Sequence, residues 1–266
     1  MAQEHQKSRE PVAVRADKDG VAWITLNRPR RYNALSTLLM TELQKLFDQL
    51  ANEKSIMAVV IQGAGKGFCA GHDLKEMKEN YCEKFYNAFF SQCSKLMMSI
   101  STLPQPVIAK VHGTAAAAGC QLVASCDLAI ASDDALFATP GINIGLFCST
   151  PMVAVSRKVN RKKMMEMLLL GEPIDAHTAV DYGLINKCVP VDVLDKTLVD
   201  LTKTITDKSP LVLKIGKEAF YKQLEMPLAE AYSYTSRVMT ENMLAKDADE
   251  GISAFIEKRS PSWTGK

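Results

Sequence analysis

Two segments of the sequence join an apolar strand to a helix through a run of small residues, and this repeat constrains the fold more than any other feature. The segments read VVIQGAGKGFCAGHDLKEM, from Val59 to Met77, and PVIAKVHGTAAAAGCQLVA, from Pro106 to Ala124. Short apolar runs predict buried strands, and the amphipathic stretches around them predict helices. Recurring strand–helix units therefore predict an α/β fold.

Local signals place further elements around these segments. Val12–Ala16 and Val21–Leu26 read as two strands, and the DKDG between them is an Asp-Gly hairpin signal. Ser36 is a candidate N-cap for a helix that runs to about Asn52. A second amphipathic helix is predicted over Cys82–Thr102, where prolines follow.

The pattern changes in the last quarter of the chain, where helical periodicity dominates. Helices are predicted over 193–207, 211–224, 228–245 and 250–258. The predicted division is a flexible N-terminus at 1–11, an α/β core at 12–190 and a helical region at 191–266. Helices that cannot bury their apolar faces alone often do so on another subunit, so an oligomer is expected.

The charge balance argues against a nucleic-acid partner. The chain carries 32 basic and 30 acidic side chains, a formal net charge of +2, whereas nucleic-acid binders normally show a clustered basic excess. One local cluster, Arg28, Arg30 and Arg31, could hold a phosphate or could be a solvated turn. No apolar run reaches the roughly 18 residues that span a bilayer, so no membrane span is predicted.

Cysteine and histidine usage points to reduced thiols and no metal centre. The seven cysteines form no CxxC pair, which is typical of a reduced, intracellular compartment. The four histidines form no HExxH or other compact motif, so no metal is predicted. The polar start MAQEHQKSRE shows no signal-peptide core, and a transit peptide already removed would explain the absence of a visible targeting segment.

The two small-residue segments also suggest a chemistry. Small side chains let the backbone approach a ligand and present its N–H groups. Helix N-termini carry free N–H groups and partial positive charge, so two of them facing one point could hold an oxyanion. The alternative interpretation is tight packing of helix against strand.

Four segments resemble the enoyl-CoA hydratase/isomerase (crotonase) family. They read VAWITLNRPRRYNALS, FCAGHDLKEM, VIAKVHGTAAAAGCQLVASCDLAIAS and GISAFIEKRSPSW, and the resemblance extends from about residue 12 to 263. It implies a ββα spiral core followed by a C-terminal helical trimerisation region. The expected assembly is a homotrimer or a dimer of trimers. A CoA thioester is the expected ligand or substrate, with no further cofactor.

The resemblance assigns roles to individual residues. The backbone amides of His72 and Ala118 would hold the thioester carbonyl, and the His72 imidazole is expected to point elsewhere. Lys258 could instead simply complement the dipole of its helix. Positions that would contact CoA or close the acyl pocket are Arg30, Ala70, His72, Asp73, Leu74, Phe255 and Lys258.

The sequence departs from the hydratase pattern at both expected glutamates. Gln121 stands at the first position and Gly141 at the second. Glutamine cannot exchange a proton near neutral pH, and glycine has no side chain. Two substitutes are conceivable. One is a nucleophile at Cys148 or Ser149, which would need a nearby base, and the other is an acid/base role for a downstream aspartate. Those aspartates are Asp127, for which a structural role is favoured, and Asp133.

The resulting prediction is an acyl-CoA-binding protein of fatty acid or lipid metabolism that is not an efficient hydratase. The alternatives are a catalytically silent regulatory or interaction protein, and an enzyme of this family with unusual catalytic residues. Resemblance also predicts a mitochondrial location.

Overall fold

The structure is a computed structural model, and it describes residues 10–266. The strands are β1 (Ala13–Lys18), β2 (Val21–Leu26), β3 (Ala58–Gly63), β4 (Val107–Val111), β5 (Thr114–Ala116), β6 (Leu128–Ser132), β7 (Leu136–Ala138), β8 (Ile174–Asp175) and β9 (Lys187–Val189). The helices are α1 (Thr37–Leu50), α2 (Leu74–Glu79), α3 (Glu83–Thr102), α4 (Ala118–Ser125), α5 (Ser149–Val155), α6 (Arg161–Leu170), α7 (Ala176–Asp181), α8 (Leu194–Thr206), α9 (Pro210–Gln223), α10 (Leu228–Met243) and α11 (Lys246–Glu257).

The main sheet has the strand order β1-β2-β3-β4-β6-β9. Only β1 and β2 pair antiparallel, as the predicted hairpin, and the remaining neighbours are parallel. β3 and β4 are buried along most of their length, which explains their continuous apolar sequences. Since parallel strands all end at the same edge, the two small-residue segments leave the sheet side by side.

A second sheet lies next to the first and has the order β5-β7-β8. β5 and β7 run parallel, with Ala116 opposite Ala138. These strands contain only two or three residues each, too few for a period-2 pattern to be read from the sequence. The sheet matters because it fixes the segment that leads into α4.

Helix α1 confirms the predicted cap. The Ser36 hydroxyl accepts a hydrogen bond from the Leu39 amide at 3.2 Å and so satisfies one free N–H at the helix start. Leu39, Leu43 and Phe47 lie on one face and are fully or almost fully buried in the main core. Their helical spacing predicted this face.

A buried ion pair fastens the C-terminal helices to the sheet. Lys217 of α9 lies 2.6 Å from a carboxylate oxygen of Asp127, and its side chain is 7% exposed. Tyr221 donates to the other oxygen at 2.7 Å, and the Val107 amide also donates to the carboxylate. Lys217 further donates to the Ile100 and Gln105 carbonyls at 2.8 Å. Every charge-bearing atom of the pair therefore has partners.

The predicted C-terminal helices are confirmed, with one shifted boundary. α11 begins at Lys246 rather than at residue 250. Its first turn is held by Asp247, a buried carboxylate that accepts hydrogen bonds from Ser209, Thr264 and Gly265.

The predicted flexible segment 1–11 lies outside the described residues except for Glu10 and Pro11, which are exposed. No helix within residues 10–266 has the length and apolarity to cross a bilayer.

Candidate functional site

The first predicted amide belongs to His72, and the local pairing leaves its N–H unused. His72 forms an isolated parallel bridge with Leu35. The Leu35 amide donates to the Gly71 carbonyl at 2.7 Å, and the Asp73 amide donates to the Leu35 carbonyl at 3.0 Å. In this pattern the N–H of the middle residue points to the opposite side. Within residues 10–266 the His72 amide has no hydrogen-bond acceptor.

The second predicted amide belongs to Ala118, the first residue of α4. N–H groups in the first turn of a helix have no partner inside the helix, and the Ala118 amide has none elsewhere in the described chain. The preceding Ala117 adopts φ +49° and ψ −118°, a conformation that is strained for a residue with a side chain. Its amide donates to the Ala138 carbonyl at 2.9 Å, which holds the helix start in place.

Two glycines allow these segments to touch. A Cβ added to Gly71, which has φ +99°, would lie 3.2 Å from the Ala118 nitrogen. A Cβ added to Gly119 would lie only 2.0 Å from the Cys69 carbonyl oxygen. The backbone before His72 is therefore packed directly against the start of α4. The two unused amides are neighbours, and the alternative of tight packing is also true, because the packing is what brings them together.

The His72 imidazole faces away from this space into the protein. Its Nε2 lies 3.2 Å from Cys93 Sγ, and its ring packs edge-on against Phe89 and Phe90 at centroid distances of 5.1 and 5.5 Å. Burial lowers the pKa of the ring to about 4. The imidazole is consequently neutral at physiological pH and is held by packing rather than free to move a proton.

Gln121 lies one turn along α4 from Ala118 and is 4% exposed. Its side-chain carbonyl oxygen is buried without a hydrogen-bond partner in residues 10–266. The hydroxyl of Thr139 is also buried without a hydrogen-bond partner in the described residues. Thr139 follows Ala138, the β7 residue whose carbonyl accepts from the Ala117 amide. Unpaired buried polar atoms are rare and costly, and within residues 10–266 Thr37 Oγ1 and Gln105 Oε1 share this state.

Gly141 lies in a 3-10 turn, Pro140–Ile144, whose space is already filled. A Cβ at this position would lie 2.9 Å from Cys148 Sγ and 2.9 Å from the Leu146 carbonyl oxygen. The Gly141 amide also donates to the Cys148 sulfur at 3.3 Å. Position 141 therefore lacks a side chain and also lacks room for one.

Neither candidate nucleophile has a base. Burial raises the pKa of the Cys148 thiol, although the Gly141 amide partly opposes this. The Ser149 hydroxyl donates to the Phe147 carbonyl at 3.3 Å, and no histidine of residues 10–266 hydrogen-bonds to it or to Cys148. The geometry thus offers no activated nucleophile.

Of the two downstream aspartates, Asp127 has its carboxylate engaged elsewhere and Asp133 lies on the surface after β6. Both carboxylate oxygens of Asp127 are occupied by Lys217, Tyr221 and the Val107 amide. Asp133 is exposed and follows β6, where its amide donates to the Val189 carbonyl. Asp127 is thus part of the attachment of the C-terminal helices.

The residues predicted to contact CoA fall into two places. Ala70 and Leu74 are exposed and lie within two residues of His72, and Arg30 is exposed in the turn after β2. Asp73 is nearly buried and pairs with Arg28 at 2.7 Å. Burial raises the pKa of this carboxyl, but hydrogen bonds from Arg28 and from backbone amides outweigh burial and leave it below the ordinary value. Asp73 therefore braces the turn rather than offering a free charge.

Phe255 and Lys258 lie on the C-terminal helices. Phe255 is 85% exposed and lines a groove of about 510 Å³ with side chains of α9, α10 and Trp263. Neither His72 nor Ala118 lines this groove. Lys258 caps α11 in the left-handed region at φ +56°. Within one chain the structure does not bring these two residues to the amide pair.

Asn33 is a structural residue that the sequence analysis missed. It is fully buried with φ +55°. Its side chain accepts from the Arg28 amide and donates to the carbonyls of Ala64, Gly67 and Phe68 at 2.9 to 3.1 Å. It thereby joins the Arg28 turn to the loop before the amide pair. Its only sequence signal is that asparagine tolerates positive φ.

Residues 10–266 contain no group of three or more His, Cys, Asp and Glu side chains that could hold a metal ion.

Two amides without an acceptor at the ends of neighbouring segments form a candidate oxyanion-binding site in this α/β fold. The profile of the family described as enoyl-CoA hydratase/isomerase matches residues 16–266. The chain belongs to the enoyl-CoA hydratase/isomerase family and has the crotonase fold.

Among its relatives, the chain is similar to enoyl-CoA hydratase domain-containing protein 3, mitochondrial. It is 46% identical to the Xenopus laevis protein over 96% of this chain and 86% of that one. Identity to the human protein is 46% over 92% and 81%. The crystal structure of the human protein superposes with a TM-score of 0.92 at 44% identity, covering 95% and 100% of the two chains. An enoyl-CoA hydratase structure from Mycobacterium smegmatis gives 0.94 at 47% identity, covering 96% and 99%.

Proposed function

We propose that this protein binds acyl-CoA thioesters, with the thioester carbonyl oxygen held between the His72 and Ala118 amides. The observation that carries the proposal is that these two neighbouring N–H groups have no acceptor within the described chain. A carbonyl oxygen accepts two hydrogen bonds, and an enolate-like oxygen accepts them more strongly. Each such donor is typically worth about 10²–10³ in rate when an oxyanion forms.

We further propose that the protein is not an efficient enoyl-CoA hydratase. Hydration needs a group that activates water and a group that delivers a proton to the α-carbon, and a positioned acid or base contributes about 10²–10⁴. Gln121 stands where the family resemblance predicts the first glutamate, and its carboxamide cannot take up or release a proton near neutral pH. Gly141 stands at the second position, and its space is filled by Cys148.

The location and the remaining ligand contacts are part of the same proposal. Relatives that are named mitochondrial support a mitochondrial location, and acyl-CoA chemistry supports a role in fatty acid or lipid metabolism. The exposed Arg30 would meet CoA phosphate groups, with Ala70 and Leu74 beside the thioester. Because Phe255 lines a groove that includes neither His72 nor Ala118, Phe255 and Lys258 would reach CoA from a neighbouring subunit of a homotrimer or a dimer of trimers.

A second candidate function is a catalytically silent interaction protein. The observation that favours it is the apolar surface of the last helices, where Leu244, Phe255 and Ile256 are 83%, 85% and 73% exposed. Large exposed side chains of this kind mark contacts with other chains. In this candidate the amide pair would be a remnant of the fold without a ligand.

Titration with crotonyl-CoA by calorimetry, with the enoyl absorbance followed in the same samples, separates the candidates. We expect binding with little turnover. The variant Gln121→Glu should gain hydratase activity, by about 10²-fold if the carboxylate is well placed. The variant Gln49→Glu, at an exposed position of α1, controls for an added charge. Fast turnover by the unmodified protein would refute the second half of the proposal. Absence of binding would favour the interaction protein.

A further inference from the structure

Within residues 10–266, two cysteines contact an imidazole, in opposite surroundings. Cys93 Sγ lies 3.2 Å from Nε2 of His72, and Cys93 is fully buried. Cys188 Sγ lies 3.4 Å from Nδ1 and 4.0 Å from Nε2 of His177, at the surface. The same pair of side chains therefore occurs once in the core and once at the surface.

The buried pair is chemically inert. Burial raises the pKa of the Cys93 thiol to about 12 and lowers the pKa of the His72 ring to about 4. Both groups are uncharged at pH 7, because a thiolate and an imidazolium would have to form away from water. This pair is part of the core packing.

The surface pair is free of that restriction. Cys188 is half-buried on β9, the edge strand of the main sheet, and His177 is exposed on the first turn of α7. The imidazole hydrogen-bonds to no other group of residues 10–266. It can take the thiol proton while water solvates both charges. An adjacent imidazolium favours the thiolate, which is the reactive form of cysteine.

The elements that carry the pair also bear charged side chains of both signs. Asp175 precedes α7 and accepts a hydrogen bond from the Thr178 amide at 2.7 Å. The pKa of its carboxyl is lowered by the Thr178 hydrogen bonds first and, to a smaller extent, by His177. Asp181 closes the same helix, and Lys187 is the strand neighbour of Cys188. Asp175 is thus a nearby negative charge for a protonated His177.

We propose that Cys188 and His177 form a thiol-modification site for low-molecular-weight disulfides such as glutathione disulfide. His177 accepts the Cys188 proton, and the thiolate attacks one sulfur of the disulfide. The S–S bond of the reagent breaks as a new S–S bond to Cys188 forms, and the released thiolate takes up the proton. Cys188 is oxidised to a mixed disulfide, and the other half of the reagent is reduced to a free thiol.

The test compares two cysteines of the same folded chain. Cys82 is exposed, precedes α3, and has no imidazole in contact with its sulfur among residues 10–266. A helix N-terminus itself favours a thiolate, so Cys82 is a demanding control. The full-length protein is incubated with glutathione disulfide at pH 7, and the rate of mixed-disulfide formation at each cysteine is read by peptide mass spectrometry.

We expect Cys188 to react about tenfold faster than Cys82 despite its lower exposure. The variant His177→Gln should slow Cys188 by a similar factor, while Cys82 keeps its rate and crotonyl-CoA binding is unchanged. Added free imidazole should restore part of the lost rate in His177→Gln, which it would not do if the histidine were purely structural. Equal rates at the two cysteines, or an unaltered Cys188 rate in His177→Gln, would overturn the proposal.

Discussion

The two halves of the candidate site differ in how they are built. The amide pair of His72 and Ala118 consists of backbone, held by the bridge to Leu35 and by the anchoring of Ala117 on β7. The other half, at positions 121 and 141, consists of side chains. There a carboxamide oxygen lacks a partner, and a glycine is enclosed by Cys148.

The difference shows that the amide pair depends on the fold, whereas the chemistry at positions 121 and 141 depends only on which residues occupy them. Backbone donors persist as long as the segments pack, whatever side chains they bear. Acid/base groups change with one substitution and leave the fold intact. A protein of this architecture can therefore keep its ligand geometry while its chemistry changes. The predictions below test this separation, beginning with the largest effect.

We expect the amide pair to be lost when the two segments that form it are pushed apart. In Gly119→Ala the new Cβ would lie 2.0 Å from the Cys69 carbonyl oxygen, and the helix cannot keep its position. We expect a loss of about 3 kcal/mol in the free energy of unfolding and loss of crotonyl-CoA binding, measured by urea unfolding and calorimetry.

Gly216→Ala is the matched control for that variant. Gly216 lies within α9, and a Cβ there would meet nothing within 4 Å. Alanine should therefore stabilise the protein by about 0.5–1 kcal/mol and leave binding unchanged. Equal stability of the two alanine variants would contradict the close contact at Gly119.

We expect the His72 imidazole to affect the stability of the protein and not the binding of ligand by the His72 backbone amide. Its pKa is about 4 in the folded protein and about 6.5 in the unfolded chain. Between these values the unfolded state binds more protons, so stability is full above about pH 6.5 and declines as pH falls to about 4. The maximal loss is about 3 kcal/mol. Unfolding measured from pH 7 to pH 4 should show this slope.

His72→Leu should remove the slope and keep crotonyl-CoA binding, because leucine retains the backbone N–H. His112→Leu, which removes a half-buried imidazole elsewhere, should keep the slope. Loss of binding in His72→Leu at unchanged stability would assign the ring a ligand contact and would break the division between backbone and side chains.

We expect a side chain added at position 141 to destabilise the protein. Gly141→Ala places a Cβ 2.9 Å from Cys148 Sγ and from the Leu146 carbonyl oxygen, and we expect it to cost about 1–3 kcal/mol. Adding Cys148→Ala removes one of the two contacts and should restore part of that loss. A double-mutant cycle from thermal unfolding measures the coupling, and a coupling energy near zero would show that the two positions do not touch.

The smallest effect concerns strain at the start of α4. Ala117 has φ +49° and ψ −118°, which glycine adopts without penalty. Ala117→Gly should raise the free energy of unfolding by about 1 kcal/mol, since relief of strain exceeds the added flexibility of the unfolded chain. Binding should be kept, because the Ala118 amide stays in place. A destabilised variant would mean that the backbone is not strained.

The sequence predicted those parts of the molecule that depend on local patterns. The Ser36 cap, the β1–β2 hairpin and the C-terminal helices follow from signals within a few residues of one another. The second sheet was missed because its strands are too short to show periodicity. The pairing of Lys217 with Asp127 was missed because 90 residues separate the partners and only the tertiary fold brings them together.

The candidate site divides in the same way. The small residues before α2 and α4 predicted a close approach of backbone, and Gly71 and Gly119 require it. The enclosure of Gly141 could not be predicted, because the turn that returns Cys148 to it has no sequence signature. The pairing of Cys188 with His177 likewise depends on β9 lying beside α7.

The contact between Gly141 and Cys148 has a consequence for how such a sequence can evolve. Position 121 needs only glutamine to become glutamate, which is a nearly isosteric replacement and a single-nucleotide change. Position 141 cannot gain a carboxylate until Cys148 and the Leu146 backbone have shifted. A side chain gained first at position 141 would therefore lower stability. The enclosure at Gly141 thus makes position 121 the easier of the two at which this sequence can acquire a carboxylate.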